Sequence, residues 1–286
     1  MGERRNTYAM ERELRAADVL ADALADTRDA LSSGAARSNG GELELIDELL
    51  ESEPRGALAE WLAAAAGPDG ERREVLGDVL GSVARRLAHT GEASTERAAA
   101  EAWQALATVL DRLFGSGVQA LGRLPFISDA LLELLLTESR RQLPEQAADT
   151  SRPPPGPPGR ALASLAVSPK LRDAVATAFD HAVAPTYDAV YLYDPPGSHV
   201  RTHVDTRDYE LVVHLVLEHA LPGDGSEGSA LVAHLPAQPE PVRLPVKPGE
   251  AVALRGRGTI HSWEPLRDDE HRTMVAIGFS SSSNDG

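Results

Sequence analysis

The hydrophobic positions change period along the chain. From Met1 to about Gly122 apolar residues recur every third or fourth position, the spacing of amphipathic helices. Leu14, Ala17, Ala21 and Leu24 predict one helix face, with a stop at Ser33-Gly34. Val75, Val79, Val83 and Leu87 predict a second, widened by Leu76 and Leu80. Ser94 is a candidate cap for a helix whose inward face carries Trp103, Leu106, Leu110 and Leu113. Breaks near Gly40-Gly41, Pro54, Gly67-Pro68 and Gly91 divide this stretch into four or five helices. None of them carries a polar cluster of catalytic type, so helical packing or partner binding is the expected role.

Between about Arg123 and Pro185 two further helices are predicted. One starts at Ser128-Asp129 and is ended by Pro144; the other starts at Ser168-Pro169, buries Leu171, Val175 and Phe179, and is closed by Pro185. Between them Ser151 to Arg160 is too rich in proline and glycine for helix or central strand, and reads as a linker or an intradomain loop spanning Pro153 to Pro158. From Thr186 the period shortens to two. Eight short strands are predicted, at Val190–Tyr193, Val200–Val204, Leu211–Leu217, Ala230–Leu235, Val242–Val246, Ala251–Leu254, Thr259–Trp263 and Arg272–Phe279. Turn chemistry such as Asp194-Pro195-Pro196-Gly197 and Pro248-Gly249 separates them. So many short strands suggest a sandwich, barrel or jelly roll, and an α+β chain overall.

Composition narrows the chemistry. The chain of 286 residues has a formal charge of −16, which argues against a nucleic-acid or anionic membrane partner. It has no cysteine, so thiolate metal sites, disulfides and a cysteine nucleophile are excluded. Any metal must be held by His, Asp and Glu. Met1 to Arg5 is charged with no apolar segment behind it, and Trp61 to Ala66 is too short to span a bilayer, so a cytoplasmic protein is expected.

His203-Val204-Asp205 closes the second predicted strand. Residues two apart on a strand share a face, so the imidazole and the carboxylate can meet one ion. With nine His and 44 acidic residues, roughly one such tripeptide arises by chance, so the combination carries the weight. His261 follows on the seventh strand, and Arg272 opens the last strand before the apolar run Met274 to Ile277. Two His and one carboxylate on one side of an ion leave the opposite positions open, and a buried guanidinium could clamp a carboxylate. Arg201, Arg207 and Trp263 are candidates for a substrate entrance, and the acidic Gly223 to Gly228 loop for a lid; for each, a plain structural role is the simpler reading. Tyr191 shares a face with Tyr193 and reads as packing. His199, His214, His219, His234 and His271 have no partner at ligand spacing and are read as non-catalytic.

The run from Tyr193 through Gly197 to His203-Val-Asp205, then Pro248-Gly249-Glu-Ala-Val-Ala-Leu254, His261 and Arg272, resembles the Fe(II)/2-oxoglutarate-dependent oxygenases, in particular their prolyl-4-hydroxylase-like branch. Pro125-Phe126-Ile127-Ser128 and the leucine-rich helix after it resemble the entry to that domain. The resemblance covers residues 123–286, densely from Tyr191, and leaves 1–122 outside as a helical region of unknown role. It implies a double-stranded β-helix (jelly roll) with its β core at about 187–280 and flanking helices. It implies that His203, Asp205 and His261 hold Fe(II), that Arg272 binds the distal carboxylate of 2-oxoglutarate, and that Tyr193 helps hold that co-substrate. Met274 stands where many relatives carry Ser or Thr. The activity implied is O2-dependent oxidative decarboxylation of 2-oxoglutarate coupled to hydroxylation of a small-molecule or peptidyl substrate. A carboxylate at Asp205 leaves no vacancy for a halide, so hydroxylation is expected over halogenation. The alternatives are a cupin-type metalloenzyme that does not use 2-oxoglutarate and a non-catalytic β-barrel sensor. The helical region could bind a partner or self-associate.

Overall fold

The computed structural model describes residues 2–35, 41–52, 58–67, 70–90, 96–143 and 154–281, apart from 182, 206–208, 222, 224–226, 237 and 239. Five helices come first: α1 (Gly2–Ser32), α2 (Glu42–Glu51), α3 (Leu58–Ala65), α4 (Gly70–Thr90) and α5 (Glu96–Phe114). The predicted faces of α4 and α5 are the buried ones, with Leu76, Val79, Leu80, Val83, Leu106 and Leu110 inaccessible to solvent. In α1 the prediction holds at Leu24 and at the half-buried Ala17 and fails at Ala21. Ala16, Leu20, Ala23 and Leu24 are buried, Ala21 is exposed, and the side chain of Leu14 lies outside those described. Ser94 and Gly91 also lie outside the described residues.

A strand that the alternation does not announce follows, β1 (Val118–Arg123). Helices α6 (Asp129–Gln142), α7 (Arg160–Ala166) and α8 (Pro169–Phe179) come next. Ser128 caps α6 by accepting from the Leu131 N–H, as its position predicts. Pro185 does not close α8, which ends in the left-handed Asp180; Pro185 lies inside the next strand. All eight predicted strands are present: β2 (Val183–Asp194), β3 (Val200–His203), β4 (Leu211–Ala220), β5 (Leu231–His234), β6 (Val242–Leu244), β7 (Glu250–Arg255), β8 (Ile260–Trp263) and β9 (His271–Ser281).

The strands form two antiparallel sheets, ordered β1-β7-β4-β9-β2 and β3-β8-β5-β6. Alternation sorts their side chains into layers. Leu211, Val213, Leu215, Val275, Ile277 and Phe279 face α6, α7 and α8 in one core. Their neighbours Val216, Val252, Leu254 and Met274 meet Leu231 and Trp263 of the other sheet in a second core. The four-stranded sheet is covered on its far side by the N-terminal helices, whose apolar core takes in Val204 and Ile260. The result is helices, small sheet, large sheet, helices. The Pro-rich insert belongs to this packing. Gly156 exchanges both backbone hydrogen bonds with Tyr191 (2.8 and 2.9 Å), and the Glu138 carboxylate accepts from the N–H groups of Ala161 and Leu162 and from the Tyr191 hydroxyl. Pro153 lies outside the described residues, but the described part runs along β2 as an intradomain loop.

Candidate metal centre

The three predicted ligands converge. His203 ends β3, Asp205 follows two residues later and His261 lies on β8; their ligand atoms lie within 4.8 Å of one another. Strand pairing does this directly, since His203 and His261 are register partners across β3 and β8. Their rings are 4.3 Å apart between centroids. Asp205 is fixed from the chain beyond the strand, its N–H donating to the Gly256 carbonyl at 2.9 Å. Gly256 has no side chain for a reason visible here, because a Cβ would collide with the Asp205 carboxylate. Asp205 Oδ1 lies 3.5 Å from His203 Nε2 and 3.9 Å from His261 Nε2.

Hydrogen bonding sets the tautomers. His203 Nδ1 lies 2.8 Å from the Arg201 carbonyl and His261 Nδ1 lies 2.9 Å from the Thr259 carbonyl. A carbonyl can only accept, so each Nδ1 carries a proton, and each Nε2 is turned toward Asp205. Burial, reinforced by the neighbouring His203, pulls the His261 pKa down to about 4, against the opposing effect of Asp205 and the Thr259 carbonyl. Burial pushes the Asp205 carboxyl up, but His261, His203 and His214 together outweigh it and bring the pKa to about 2. At neutral pH the set is a carboxylate and a neutral imidazole facing a third ligand, His203. His261 Nε2 and Asp205 Oδ2 are both buried with no hydrogen-bond partner. Buried polar atoms left unpaired are costly unless something else engages them. The donor set and these two atoms fit a divalent ion of the iron or zinc kind.

Beside the ligands lies a cavity of about 180 Å³, lined by His203, Asp205, Tyr209, His214, Trp263 and an apolar wall that includes Val190, Leu192 and Val212. No Lys or Arg is among its described lining residues. Arg272 faces inward, as the apolar strand predicts, but it does not line this cavity. It is fully buried, and its Nε and Nη2 donate to Asp194 Oδ2 at 3.2 and 2.7 Å. Its guanidinium lies 3.8 Å from the centroid of the Trp263 ring, which itself lines the cavity.

The expected role of Tyr193 requires correction. Along β2 the inward residues are Val190 and Leu192, whereas Tyr191 belongs to the core on the helix side. Tyr193 shares the face of Tyr191, pairs with Thr273 and tilts against His271, with ring centroids 6.2 Å apart. Period-two alternation therefore turns it away from the cavity and turns Asp194 inward. Arg201 is exposed and outside the lining, and Arg207 lies outside the described residues. His214, read from the sequence as non-catalytic, does line the cavity, its ring 5.8 Å from Trp263. Its strand is buried along most of its length, so the apolar run around it gave no sign of which face it took. Tyr209 is the tyrosine in the cavity wall; its ring fills the space that a side chain at Gly278 would occupy.

No helix among the described residues is long and apolar enough to cross a membrane. No protein-family model matches the chain, and no curated protein matches its sequence. Solved structures do. One is a prolyl-4-hydroxylase from Pseudomonas putida, 22% identical, covering 62% of this chain and 99% of that one at a TM-score of 0.42. Another is a Burkholderia pseudomallei oxidoreductase of the 2OG-Fe(II) oxygenase family, 16% identical over 62% and 89% of the two chains, at 0.43. A third is HygX from Streptomyces hygroscopicus, solved with nickel, 2-oxoglutarate and hygromycin B, 14% identical over 59% and 84%, at 0.44. The solved structures that this chain is similar to are thus Fe(II)/2-oxoglutarate oxygenases, with a prolyl-4-hydroxylase among them.

Proposed function

We propose that the protein is a non-haem Fe(II) dioxygenase that couples oxidative decarboxylation of 2-oxoglutarate to hydroxylation of a C–H bond. Residues 123–286 form the catalytic domain in this reading, a double-stranded β-helix, and residues 1–122 an accessory helical region. The observation that carries it is the pair of buried, unpartnered ligand atoms, His261 Nε2 and Asp205 Oδ2, beside His203. Iron with its keto acid and O2 would supply the oxidising chemistry. His203, Asp205 and His261 would hold the metal from one side, leaving the cavity side open to co-substrate and substrate. The hydrogen bonds to the Arg201 and Thr259 carbonyls hold both imidazoles with Nε2 turned to the metal position. Val190, Val200, Val212 and Trp263 exclude water from the reacting space. Arg272 would meet the distal carboxylate of 2-oxoglutarate only on leaving Asp194.

A small molecule or a peptidyl residue is the proposed substrate, in the cytoplasm, with no nucleic-acid or membrane partner; the net charge of −16 supports the exclusion of nucleic acid. The second reading, a cupin-type metalloenzyme independent of 2-oxoglutarate, draws on one observation: Arg272 is already held by a carboxylate of the chain. Anaerobic addition of Fe(II) and then 2-oxoglutarate separates the two. The first reading expects a weak visible charge-transfer band that needs both additions, and succinate formation when oxygen is admitted. Iron uptake with no response to any keto acid would select the second, and no iron uptake would leave only a non-catalytic barrel.

A further inference from the structure

Arg272 is a buried cation already paired with a carboxylate of the chain. Asp194, only 1% exposed, sits directly opposite it in the β2–β9 register and takes two of its N–H groups. Trp263 covers one guanidinium face. Nη1 points to the Ser229 hydroxyl at 3.5 Å, and the N–H of the same serine donates to Glu270 Oε1 at 2.6 Å. Glu270 is itself ionised in place: burial raises its carboxyl, but the Ser229 N–H, His219 and the Arg267 N–H bring it below its usual value. Asp194 thus engages the guanidinium directly in a buried pocket, and Glu270 stands behind Ser229. Bringing in a second carboxylate costs Coulomb repulsion and desolvation unless Asp194 moves away. No Lys or Arg is among the described residues that line the space in front, which include Val190, Leu192, Val200, Val212, Trp263 and Ala276 beside the ligands.

We propose that Asp194 competes with a distal carboxylate for Arg272, so that 2-oxoglutarate gains little from its tail charge and a 2-keto acid with an uncharged tail is held at least as well. This rests on the reading that a keto acid binds at the triad, and it widens the set of keto acids that do. The ion-paired Arg272 lies against the Trp263 ring, which lines an otherwise largely apolar slot. The Trp263 Nε1 is itself buried and lacks a hydrogen-bond partner.

The test uses the full-length protein loaded with Fe(II) without oxygen and two probes of equal chain length, 2-oxoglutarate and 2-oxopentanoate. The charge-transfer band reports binding, and calorimetry on the Ni(II)-loaded protein repeats it without reference to turnover. The expected result is that the wild-type protein binds 2-oxopentanoate at least as tightly as 2-oxoglutarate. Asp194→Asn should then tighten 2-oxoglutarate by about tenfold and leave 2-oxopentanoate within about twofold. A wild-type preference of tenfold or more for 2-oxoglutarate, or an Asp194→Asn variant that binds it no better, overturns the proposal and leaves the oxygenase reading standing. Failure of both probes to bind the metal-loaded protein overturns the two together. The wild-type comparison needs no substitution, so it decides the matter even if the variant does not fold.

Discussion

The two faces of the small sheet are built on opposite plans. On the face toward the N-terminal helices, Val204 and Ile260 enter a core made of leucine, valine and alanine. On the other, His203 and Asp205 line a cavity with His261 beside them, and two of the three residues' ligand atoms are buried without partners. The residues alternate along the same short strands, so an apolar contact on one side holds each ligand in place on the other. Among the described residues the buried polar side chains follow the same division. All but Thr27, Glu42 and Ser139 lie on strands or the turns between them. The helical layer contributes packing, and the space between the sheets contributes chemistry.

That contrast is sharpest between two neighbours. Asp205→Ala removes a ligand and a buried unpartnered oxygen together. It should weaken Fe(II) or Co(II) binding by at least about 100-fold, while the metal-free protein unfolds at the same urea concentration as wild type or a higher one. Val204→Ala should do the reverse, lowering stability by about 1–2 kcal/mol through lost burial and a small void, with metal affinity changed only a few-fold. Paired metal titrations and urea melts on the two variants decide it. If Asp205→Ala destabilises the apo protein more than Val204→Ala does, the division of labour between the faces is wrong.

The next largest effect is expected where the layers meet. Gly258, in the turn between β7 and β8, lies against the Gly115 carbonyl at the end of α5, and a Cβ would overlap that oxygen. The clash is between two stretches of backbone, so no rotamer can relieve it. Gly258→Ala should cost about 3 kcal/mol, at the upper end for overpacking, read as a lowered urea midpoint. Because β8 carries His261 just beyond this turn, metal affinity should fall with it. A variant with unchanged stability would show that the helical layer is only loosely seated on the sheet.

How much of this was legible depended on whether the decisive contact was local. The eight later strands and the shared face of His203 and Asp205 followed from period-two alternation, and His261 joined them through the family resemblance. The faces of α4 and α5 followed from well-spaced Val and Leu. In α1 the many alanines make several faces equally apolar, and Leu20 and Leu24 settle the matter only through their tertiary contacts. Helix α7 spans Arg160–Ala166, and the groups that satisfy its first N–H donors come from Glu138 of α6, which leaves no mark in its own sequence. Strand β1 has few β-branched residues and exists because β7 offers it an edge. At the site, the inward direction of Arg272 was readable and its partner was not. Asp194 stands in an Asp-Pro-Pro-Gly segment whose turn chemistry accounts for it completely until β9 is placed beside it.

The smallest effect tests the junction by pH. His234 ends β5 and stacks on Trp103 of α5, centroids 4.9 Å apart and planes 16° from parallel. Burial lowers its pKa below the ordinary 6.5, so the folded protein prefers the neutral ring. A group with a depressed folded pKa contributes its full share of stability above its unfolded pKa. That share is lost as pH falls through 6.5 toward the lower folded value, because the unfolded chain takes up the proton first. His234→Phe keeps the stack and removes the titration. Its urea midpoint should therefore decline less than that of wild type between about pH 7 and 5, and the two curves should run parallel above 7. Equal decline in both proteins across that window would mean that the ring is free to protonate where it lies, and that the Trp103 stack does not seal the helical layer to the sheet.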